Sequence, residues 1–312
     1  MVLKTVATYG LGKTKTGTTG VFLNVARGSV LDFAPPKKKT KILSSSQSSS
    51  PVGAIVNAAN EGCLGGGGVD GAINDAGGRN LWKDREALPL LLSKETETPG
   101  SRCNTGGAVV TGPGDYGSLR VRYVIHAVGP AYLRFSKDEY DDNEEDDDDD
   151  DECEFDEPDA LLRSAYRESL ERCRDEGITD VAFSLLSAGV FRGNRSLREV
   201  LTIGVMAIRD WVAEEEQLKG AAAKSDGDGE EDGESVDGDV DKVASSSSPH
   251  RLKSVTLCGF SKNEVNTLTK VCQAVFTDND ERKEEEEEDD NDNDNDDIVS
   301  TNTKIPLSTS DE

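Results

Sequence analysis

A glycine-rich segment at residues 53–78 contains the densest group of residues that could do chemistry. It reads GAIVNAANEGCLGGGGVDGAINDAGG, so an apolar strand leads into two asparagines, four consecutive glycines and an aspartate. Glycines let a backbone approach a ligand closely, and the free N–H groups at a helix N-terminus bind phosphate. An Asn side chain at a strand end can hydrogen-bond a sugar hydroxyl. The segment therefore predicts a cradle for a phosphate and a sugar.

These glycines do not match the two common nucleotide-binding loops. No Gly-Lys-Ser/Thr follows them, as an NTPase phosphate loop requires, and they lack the G-x-G-x-x-G turn of a dinucleotide fold. Gly10–Thr14 reads GLGKT, but Ala7 stands where the phosphate-loop motif needs its first glycine. We therefore expect residues 1–19 to form a flexible basic arm.

Strands alternate with helices in the pattern of apolar residues that would position this cradle. Helices are expected to begin near residues 69, 159, 196 and 263, and Ser196 with Glu199 forms a capping box. The alternation predicts an α/β fold around one core. The expected strands cover residues 21–25, 53–58, 107–111, 120–128, 178–186 and 254–258.

The charge is distributed unevenly along the chain. The formal charge of the whole chain is −27, but residues 138–159, 214–242 and 278–312 hold 45 of the 62 Asp and Glu and only 6 of the 35 Lys and Arg. The remaining chain is therefore about +12. A basic body suits an anionic ligand such as a pyrophosphate, although the same Lys and Arg side chains could equally serve to solvate the surface.

Low-complexity stretches set the expected domain boundaries. One domain is predicted over residues 20–276, with inserted loops at about 35–51, 134–158 and 213–250. A disordered acidic tail is expected over residues 277–312, because such a composition cannot build a core. The acidic segments could be solvated and repulsive only, or they could bind basic histone-like partners or shield the body from nucleic acid.

Cysteine and histidine usage bears on metals and on the cellular compartment. The chain has six Cys without any C-x-x-C pair and only two His, so we expect no zinc site. Scattered cysteines fit a reducing compartment, and no apolar run has the length of a membrane span. The expected location is the cytosol or nucleus. Because Asp32 is the first acidic residue, an organelle-targeting segment stays open.

Three motifs in order resemble those of macro domains, especially the MacroD-type ADP-ribosyl hydrolases. The first is NAAN followed by GGGGVDGAI, the second is YVIHAVGP at Tyr123–Pro130, and the third is FSLLSAGVFRG at Phe183–Gly193. The resemblance spans roughly residues 20 to 276 without the inserted loops. It implies a three-layer α/β/α sandwich with a mixed central sheet and a cleft that binds ADP-ribose without an organic cofactor.

The resemblance also implies roles for individual residues. Asn60 would hold a distal ribose hydroxyl, Asp70 would orient or activate a water beside the anomeric carbon, and these two form the catalytic prediction. One phosphate would lie on Gly66–Val69 and the other on Ser187–Val190, while Phe191 covers the distal ribose. Phe260 is expected to pack against the adenine. The full predicted ADP-ribose-binding set is Ser29, Val30, Ala58, Asn60, Gly66, Gly67, Gly68, Val69, Asp70, Ser187, Ala188, Gly189, Val190, Phe191, Arg192 and Phe260.

The chain departs from the family pattern at three positions. Ser29 stands in Gly-Ser-Val where the family has Gly-Asp-Ile, so weaker adenine selectivity is expected. Ala188 replaces a Thr, and Arg192 replaces a Gly. Arg192 could place a cation beside the pyrophosphate or point to solvent.

Several candidate residues also have a structural interpretation. Asp70 could be only a helix N-terminal acid that favours the dipole, although its place after the glycines favours a ligand role. Asn57 is expected to tie loops together, and His126, inside an apolar strand, to be a core histidine with no catalytic role. Phe191 and Phe260 could be ligand contacts or ordinary core.

The preferred function is a hydrolase of ADP-ribosyl linkages. The expected substrates are proteins mono-ADP-ribosylated on Asp or Glu and O-acetyl-ADP-ribose. One alternative is a non-catalytic module that reads ADP-ribose marks, and a weaker one is an acidic protein that associates with histones or nucleic acid. The preferred linkage and the oligomeric state are left open.

Overall fold

A computed structural model describes residues 2–11, 20–36, 52–92, 94, 96, 98–134, 156–225 and 252–289. Most of the predicted inserted loops, and the tail after residue 289, lie outside these residues. The strands are β1 Lys4–Leu11, β2 Val21–Arg27, β3 Gly53–Ala58, β4 Ala108–Thr111, β5 Tyr123–Ala127, β6 Asp180–Ser184 and β7 Ser254–Gly259. The helices are α1 Gly68–Glu86, α2 Asp156–Asp175, α3 Leu197–Ser225 and α4 Lys262–Asp289, with short 3-10 helices at Val30–Asp32, Tyr132–Arg134 and Val190–Arg192.

The seven strands form one mixed sheet in the order β1-β2-β7-β6-β3-β5-β4. The five strands from β2 to β5 in that order are parallel to one another. The edge strands β1 and β4 pair antiparallel with β2 and β5. The predicted mixed central sheet is confirmed.

Helices cover both faces of the sheet. On β3, Ala54 and Val56 belong to the apolar cluster shared with α2, α3 and α4, whereas Ile55 points to the cluster beneath α1. Successive strand side chains alternate between faces, so both faces of a parallel sheet are buried and its strands are almost wholly apolar. The predicted three-layer α/β/α sandwich is confirmed. No helix in the described part of the chain has the length and apolarity to cross a membrane.

The chain is more ordered than the sequence predicted in three places. The predicted flexible arm contains strand β1, because its alternating and β-branched residues pair with β2 and bury Leu11. Helix α3 continues to Ser225, beyond the predicted loop boundary at 213. The reason is that Glu and Ala favour helix and Glu214 and Glu215 bind arginines on α2. Helix α4 also continues through the glutamates to Asp289.

The five parallel strands bring their carboxyl ends to one edge of the sheet. The segments that follow them are Gly28 after β2, the glycine run after β3, Gly129 after β5, Ser187 after β6 and Phe260 after β7. Ligands of open α/β sheets bind at such an edge.

Candidate functional site

A cleft of about 700 Å³ opens at the carboxyl edge of the parallel strands. All residues of the predicted binding set except Arg192 line it. Its lining is Gly28, Ser29, Val30, Ala58, Ala59, Asn60, Gly66, Gly67, Gly68, Val69, Asp70, Ala72, Gly129, Ser184, Leu185, Ser187, Ala188, Gly189, Val190, Phe191, Cys258, Phe260 and Glu264.

The glycine-rich loop, residues 59–67, joins β3 to α1 and forms one wall. Gly67 is the N-cap of α1, and no side chain hydrogen-bonds the first N–H groups of the helix there. Those N–H groups carry the positive end of the helix dipole and can bind an anion. A Cβ atom at Gly66 would lie 3.1 Å from Nδ2 of Asn60 and 3.2 Å from Oδ2 of Asp70. The two side chains of the catalytic prediction therefore converge on this glycine.

The two carboxylate oxygens of Asp70 differ in their hydrogen bonds. Its side chain is buried, and Oδ1 accepts hydrogen bonds from Nδ2 of Asn57 at 2.8 Å and from Nη2 of Arg85 at 2.7 Å. Oδ2 is buried and has no hydrogen-bond partner among the described residues, and Asp70 is one of the residues that line the cleft. A buried carboxylate oxygen without a hydrogen-bond donor is costly in free energy. Oδ2 is therefore suited to accept a proton, or a hydrogen bond from a ligand hydroxyl.

His126 continues the same network away from the cleft. Its Nδ1 lies 3.1 Å from Nδ2 of Asn57, and its Nε2 lies 3.0 Å from Oγ1 of Thr111, whose hydroxyl donates to the Val124 carbonyl. The ring is therefore neutral, with the proton on Nε2. Complete burial, and then the charge of Arg85, hold the pKa of His126 well below its usual value. Both nitrogens are paired inside the sheet, as the sequence led us to expect of a core histidine.

The loop after β6 forms the opposite wall. Ser187 adopts φ 51°, an uncommon conformation outside glycine, and its hydroxyl donates to the Pro130 carbonyl at 2.8 Å. Gly129 lies directly against that hydroxyl, in a space that a Cβ atom would fill. This contact between the ends of β5 and β6 fixes the backbone of Ser187 at the cleft.

Two aromatic residues stand at the rim. Phe260 is 74% exposed, and Phe191 is half-buried beside Val190, which is 90% exposed. An ordinary core role for Phe260 is therefore wrong, whereas the half-buried Phe191 keeps both interpretations. Exposed apolar side chains at a cleft mouth favour contact with a ligand.

Ser29 and Arg192 have local partners in the structure. The Ser29 hydroxyl accepts from the Leu31 N–H at 3.2 Å and caps the 3-10 helix at Val30–Asp32, yet the residue still lines the cleft. Arg192 does not line the cleft, and its Nη1 donates to the Arg195 carbonyl at 2.9 Å. In the described part of the chain no Lys or Arg lines the cleft, so backbone N–H groups are the anion-binding groups here.

Sequence reasoning missed several lining residues. Glu264 lines the cleft while its Oε2 accepts from the Ser261 N–H at 2.6 Å and Ser261 caps Glu264 in return. This Ser-x-x-Glu capping box was readable in the sequence and would have placed Glu264 at the start of α4. The contact of Arg85 with Asp70 carried no local signal, because the two residues are 15 positions apart. The other lining residues missed are Gly28, Ala59, Ala72, Gly129, Ser184, Leu185 and Cys258.

Comparisons with known proteins agree with this geometry. The Macro domain family model matches residues 56–147 and 150–198. Macro domain-containing protein TTE0995 of Caldanaerobacter subterraneus is 37% identical over 155 residues, which are 50% of this chain and 71% of that protein. O-acetyl-ADP-ribose deacetylase 1 of Pantoea vagans is 36% identical over 169 residues, or 53% of this chain and 78% of that protein. The fold matches the Oceanobacillus iheyensis macrodomain with ADP at a TM-score of 0.53 and 19% identity, covering 89% of this chain and all of that one. The chain belongs to the macro domain family.

Proposed function

We propose that this protein binds ADP-ribose in the cleft and hydrolyses the bond between the distal ribose and an acyl group. The observation that carries the proposal is the buried, unpartnered Oδ2 of Asp70, a residue that lines the cleft beside Asn60 at the start of α1. The name of the Pantoea relative, an O-acetyl-ADP-ribose deacetylase, supports this reaction class. The substrates are proteins mono-ADP-ribosylated on Asp or Glu and O-acetyl-ADP-ribose.

The cleft walls suggest how the ligand lies. One phosphate accepts from the N–H groups of Gly66–Val69, and the other from those of Ser187–Val190, since both backbones line the cleft. The adenine lies against Phe260 and next to Ser29, and the distal ribose lies between Phe191 and the glycine-rich loop. A pyrophosphate held by oriented backbone N–H groups needs no lysine or arginine beside it.

Asp70 would act on the attacking water. Oδ2 accepts a proton from a water that attacks the distal ribose anomeric carbon, whose bond to the acyl oxygen breaks and releases a carboxylate. For an acetyl ester the same water gives its proton to Oδ2 and attacks the acyl carbon, and the bond to the ribose oxygen breaks, so that acetate leaves and the ribose oxygen takes the proton to become a hydroxyl. Nδ2 of Asn60 already donates to the Gly65 carbonyl at 2.9 Å, and its remaining N–H and its amide oxygen can hold the ribose hydroxyls. Positioned general-base help contributes about 10²- to 10⁴-fold in rate.

The test compares wild type with Asp70→Asn on a protein mono-ADP-ribosylated at an acidic residue and on O-acetyl-ADP-ribose. Asn keeps an acceptor for Arg85 and Asn57 but cannot take a proton. We expect kcat to fall about 10²- to 10⁴-fold while calorimetric ADP-ribose affinity changes by less than about threefold, or under 1 kcal/mol. Binding without turnover in wild type would show a reader. Absence of both binding and turnover would refute the assignment altogether.

A non-catalytic reader is the second candidate. The observation in its favour is that Asp70 is only 3% exposed and holds Arg85 and Asn57 through Oδ1, as a purely structural carboxylate would. The reader predicts that Asp70→Asn and wild type bind ADP-ribose alike and that neither hydrolyses either substrate.

A further inference from the structure

Arg85, in the last turn of α1, contacts both sides of the four-glycine run. Its Nη2 donates to Oδ1 of Asp70 at 2.7 Å, just after the glycines. Its Nε donates to the carbonyl oxygen of Cys63, just before them. The side chain is fully buried. One guanidinium therefore connects the residues on the two sides of the four-glycine run, residues 65–68.

A break in α1 makes this contact possible. In a straight helix the 15 residues from Asp70 to Arg85 would span about 22 Å, far beyond the reach of the two side chains. Gly78 interrupts the helix with φ 62° and ψ −155°, which suits glycine because it carries no Cβ. The second half of α1 turns back at that point, and Arg85 returns to the start of the helix.

We propose that Arg85 is a positioning residue that tethers the four-glycine run on both sides and orients Oδ2 of Asp70 towards the ligand. This inference rests on the proposed function for its catalytic part. By occupying Oδ1, Arg85 and Asn57 fix the carboxylate plane and leave Oδ2 as the oxygen that no described residue hydrogen-bonds. By holding the Cys63 carbonyl, Arg85 also fixes the entry to the four glycines.

This tether depends on the shape of the arginine side chain and not only on its charge. The guanidinium is a rigid planar fork that can donate in two directions at once, whereas a lysine ammonium is a point charge on a flexible stem. Four successive glycines have more backbone freedom to lose than any other residues. A loop tethered at both ends therefore holds its N–H groups ready for a phosphate, and a loop tethered at one end does not.

The competing interpretation is that Arg85 only neutralises the buried charge of Asp70. Arg85→Lys separates the two, because lysine keeps the charge and loses the fork. The matched control is Arg174→Lys, because Nη1 of Arg174 pairs with Oε1 of Glu215 at 2.8 Å and joins α2 to α3 away from the cleft.

The first experiment measures three quantities on full-length wild type, Arg85→Lys and Arg174→Lys. For Arg85→Lys we expect backbone amides of residues 64–69 to exchange hydrogen at least about 10-fold faster. We also expect kcat to fall about 10- to 100-fold and the ADP-ribose Kd to rise by a smaller factor. Arg174→Lys should match wild type in all three. Wild-type exchange and wild-type kcat in a folded Arg85→Lys protein would overturn the proposal and leave neutralisation as the only role.

A double-variant cycle tests whether Arg85 acts through Asp70. If it does, Arg85→Lys lowers kcat much less in the Asp70→Asn background than in wild type, since residues that act as a unit are not additive. Full additivity would contradict a positioning role. If wild type shows no turnover, only the hydrolase proposal fails. The exchange rates and the ADP-ribose Kd still decide whether Arg85 tethers the loop.

Gly78→Ala provides a second route if Arg85→Lys does not fold. The added Cβ meets no atom within 4 Å, so only the backbone conformation of the break is disfavoured and Arg85 itself is untouched. We expect the same three changes in smaller size, with circular dichroism showing a folded protein. Unchanged hydrogen exchange at the backbone amides of residues 64–69, despite a displaced break, would contradict the tethering role of Arg85.

Discussion

Gly66 is the residue at which the two candidates for chemistry meet. A Cβ atom there would lie 3.1 Å from Nδ2 of Asn60 and 3.2 Å from Oδ2 of Asp70, closer than side chains normally pack. The need for glycine at this position is therefore steric, because Gly66 does not have positive φ. The adjacent Gly67 is different, because a Cβ atom there would meet nothing within 4 Å.

Gly66→Ala is expected to displace Asn60 and Asp70 from each other. We expect kcat to fall about 10-fold or more, because a displacement of 1 Å costs up to about 10²-fold, and the melting temperature to change by a few degrees at most. The measurements are turnover on the ADP-ribosylated protein and a thermal melt. Gly67→Ala is the comparison variant without a steric clash, and its melting temperature should fall slightly because Ala is a poorer N-cap of α1 than Gly. Wild-type turnover by Gly66→Ala would contradict the convergence.

The neutral state of His126 predicts a pH dependence of stability. Burial holds the pKa of the folded residue well below its usual value of 6.5, so below about pH 6.5 the unfolded chain binds a proton that the folded chain does not. Stability should therefore be unaffected by His126 above that pH. It should fall as pH decreases below it, by at most about 1.4 kcal/mol per pH unit.

Urea unfolding at pH 5.0 to 7.5 measures this effect against the titration of carboxylates. Wild type should lose more stability towards pH 5 than His126→Gln, which cannot titrate and can still contact Asn57 and Thr111. His250→Gln, a change outside the described residues, should keep the wild-type slope. Equal slopes in wild type and His126→Gln would show that His126 protonates in the folded protein.

The contrast between Asp70 and Arg85 shows where sequence reasoning about the site reaches its limit. The glycine-rich segment after β3 predicted a phosphate and sugar cradle from its residues, whereas the roles of Asn60, Asp70 and the loop after β6 came from the resemblance to macro domains. Arg85 was missed because its contact depends on how α1 turns back at Gly78, and sequence spacing alone predicts a straight helix. Local signals predict which segments meet, and long-range contacts beneath them require the fold.

At the scale of elements, the backbone pairing of β3 with β6 ends beside the cleft. Their ladder ends at the Val56–Phe183 pair, and the Ser184 side chain takes over from backbone pairing. Its Oγ accepts from the Ala58 N–H at 3.0 Å and donates to the Val56 carbonyl at 2.7 Å. The sequence predicted the fold class but not the order of the strands. It also missed β1 and the extended ends of α3 and α4, because these segments depend on contacts with other elements.

Ser184→Ala is expected to leave the Ala58 N–H without an acceptor. A buried unsatisfied donor costs about 1–3 kcal/mol, and ADP-ribose affinity should fall because the glycine-rich loop begins one residue later. Urea unfolding and calorimetry measure the two effects. Ser169→Ala is the matched control, because that buried hydroxyl only donates to the helix carbonyl of Ala165 and its loss leaves no unsatisfied donor. A smaller loss in Ser184→Ala than in Ser169→Ala would contradict this role.

For the whole molecule, the net charge opposes the proposed ligand, although the chain outside the three acidic segments is basic. The chain carries −27, and the charged residues that line the cleft in the described ranges are Asp70 and Glu264. An anion therefore approaches a net negative molecule and is held by backbone N–H groups once inside. The cytosolic or nuclear location and a role for the acidic segments in binding basic proteins stay predictions.

Residues 290–312 provide a way to measure that opposition, because they contain seven Asp or Glu and one Lys and lie beyond the end of α4. Replacing the seven acids by Asn or Gln should raise the association rate constant of ADP-ribose about twofold at 20 mM NaCl, because repulsion of the anion weakens. At 300 mM NaCl the difference should vanish, since the Debye length falls below about 8 Å. Stopped-flow mixing gives both rate constants, and dissociation should be unchanged because the cleft is untouched. The charge-neutral control replaces Ser308 and Ser310 by Asn. A difference that persists at 300 mM NaCl would instead mean that the tail contacts the cleft directly.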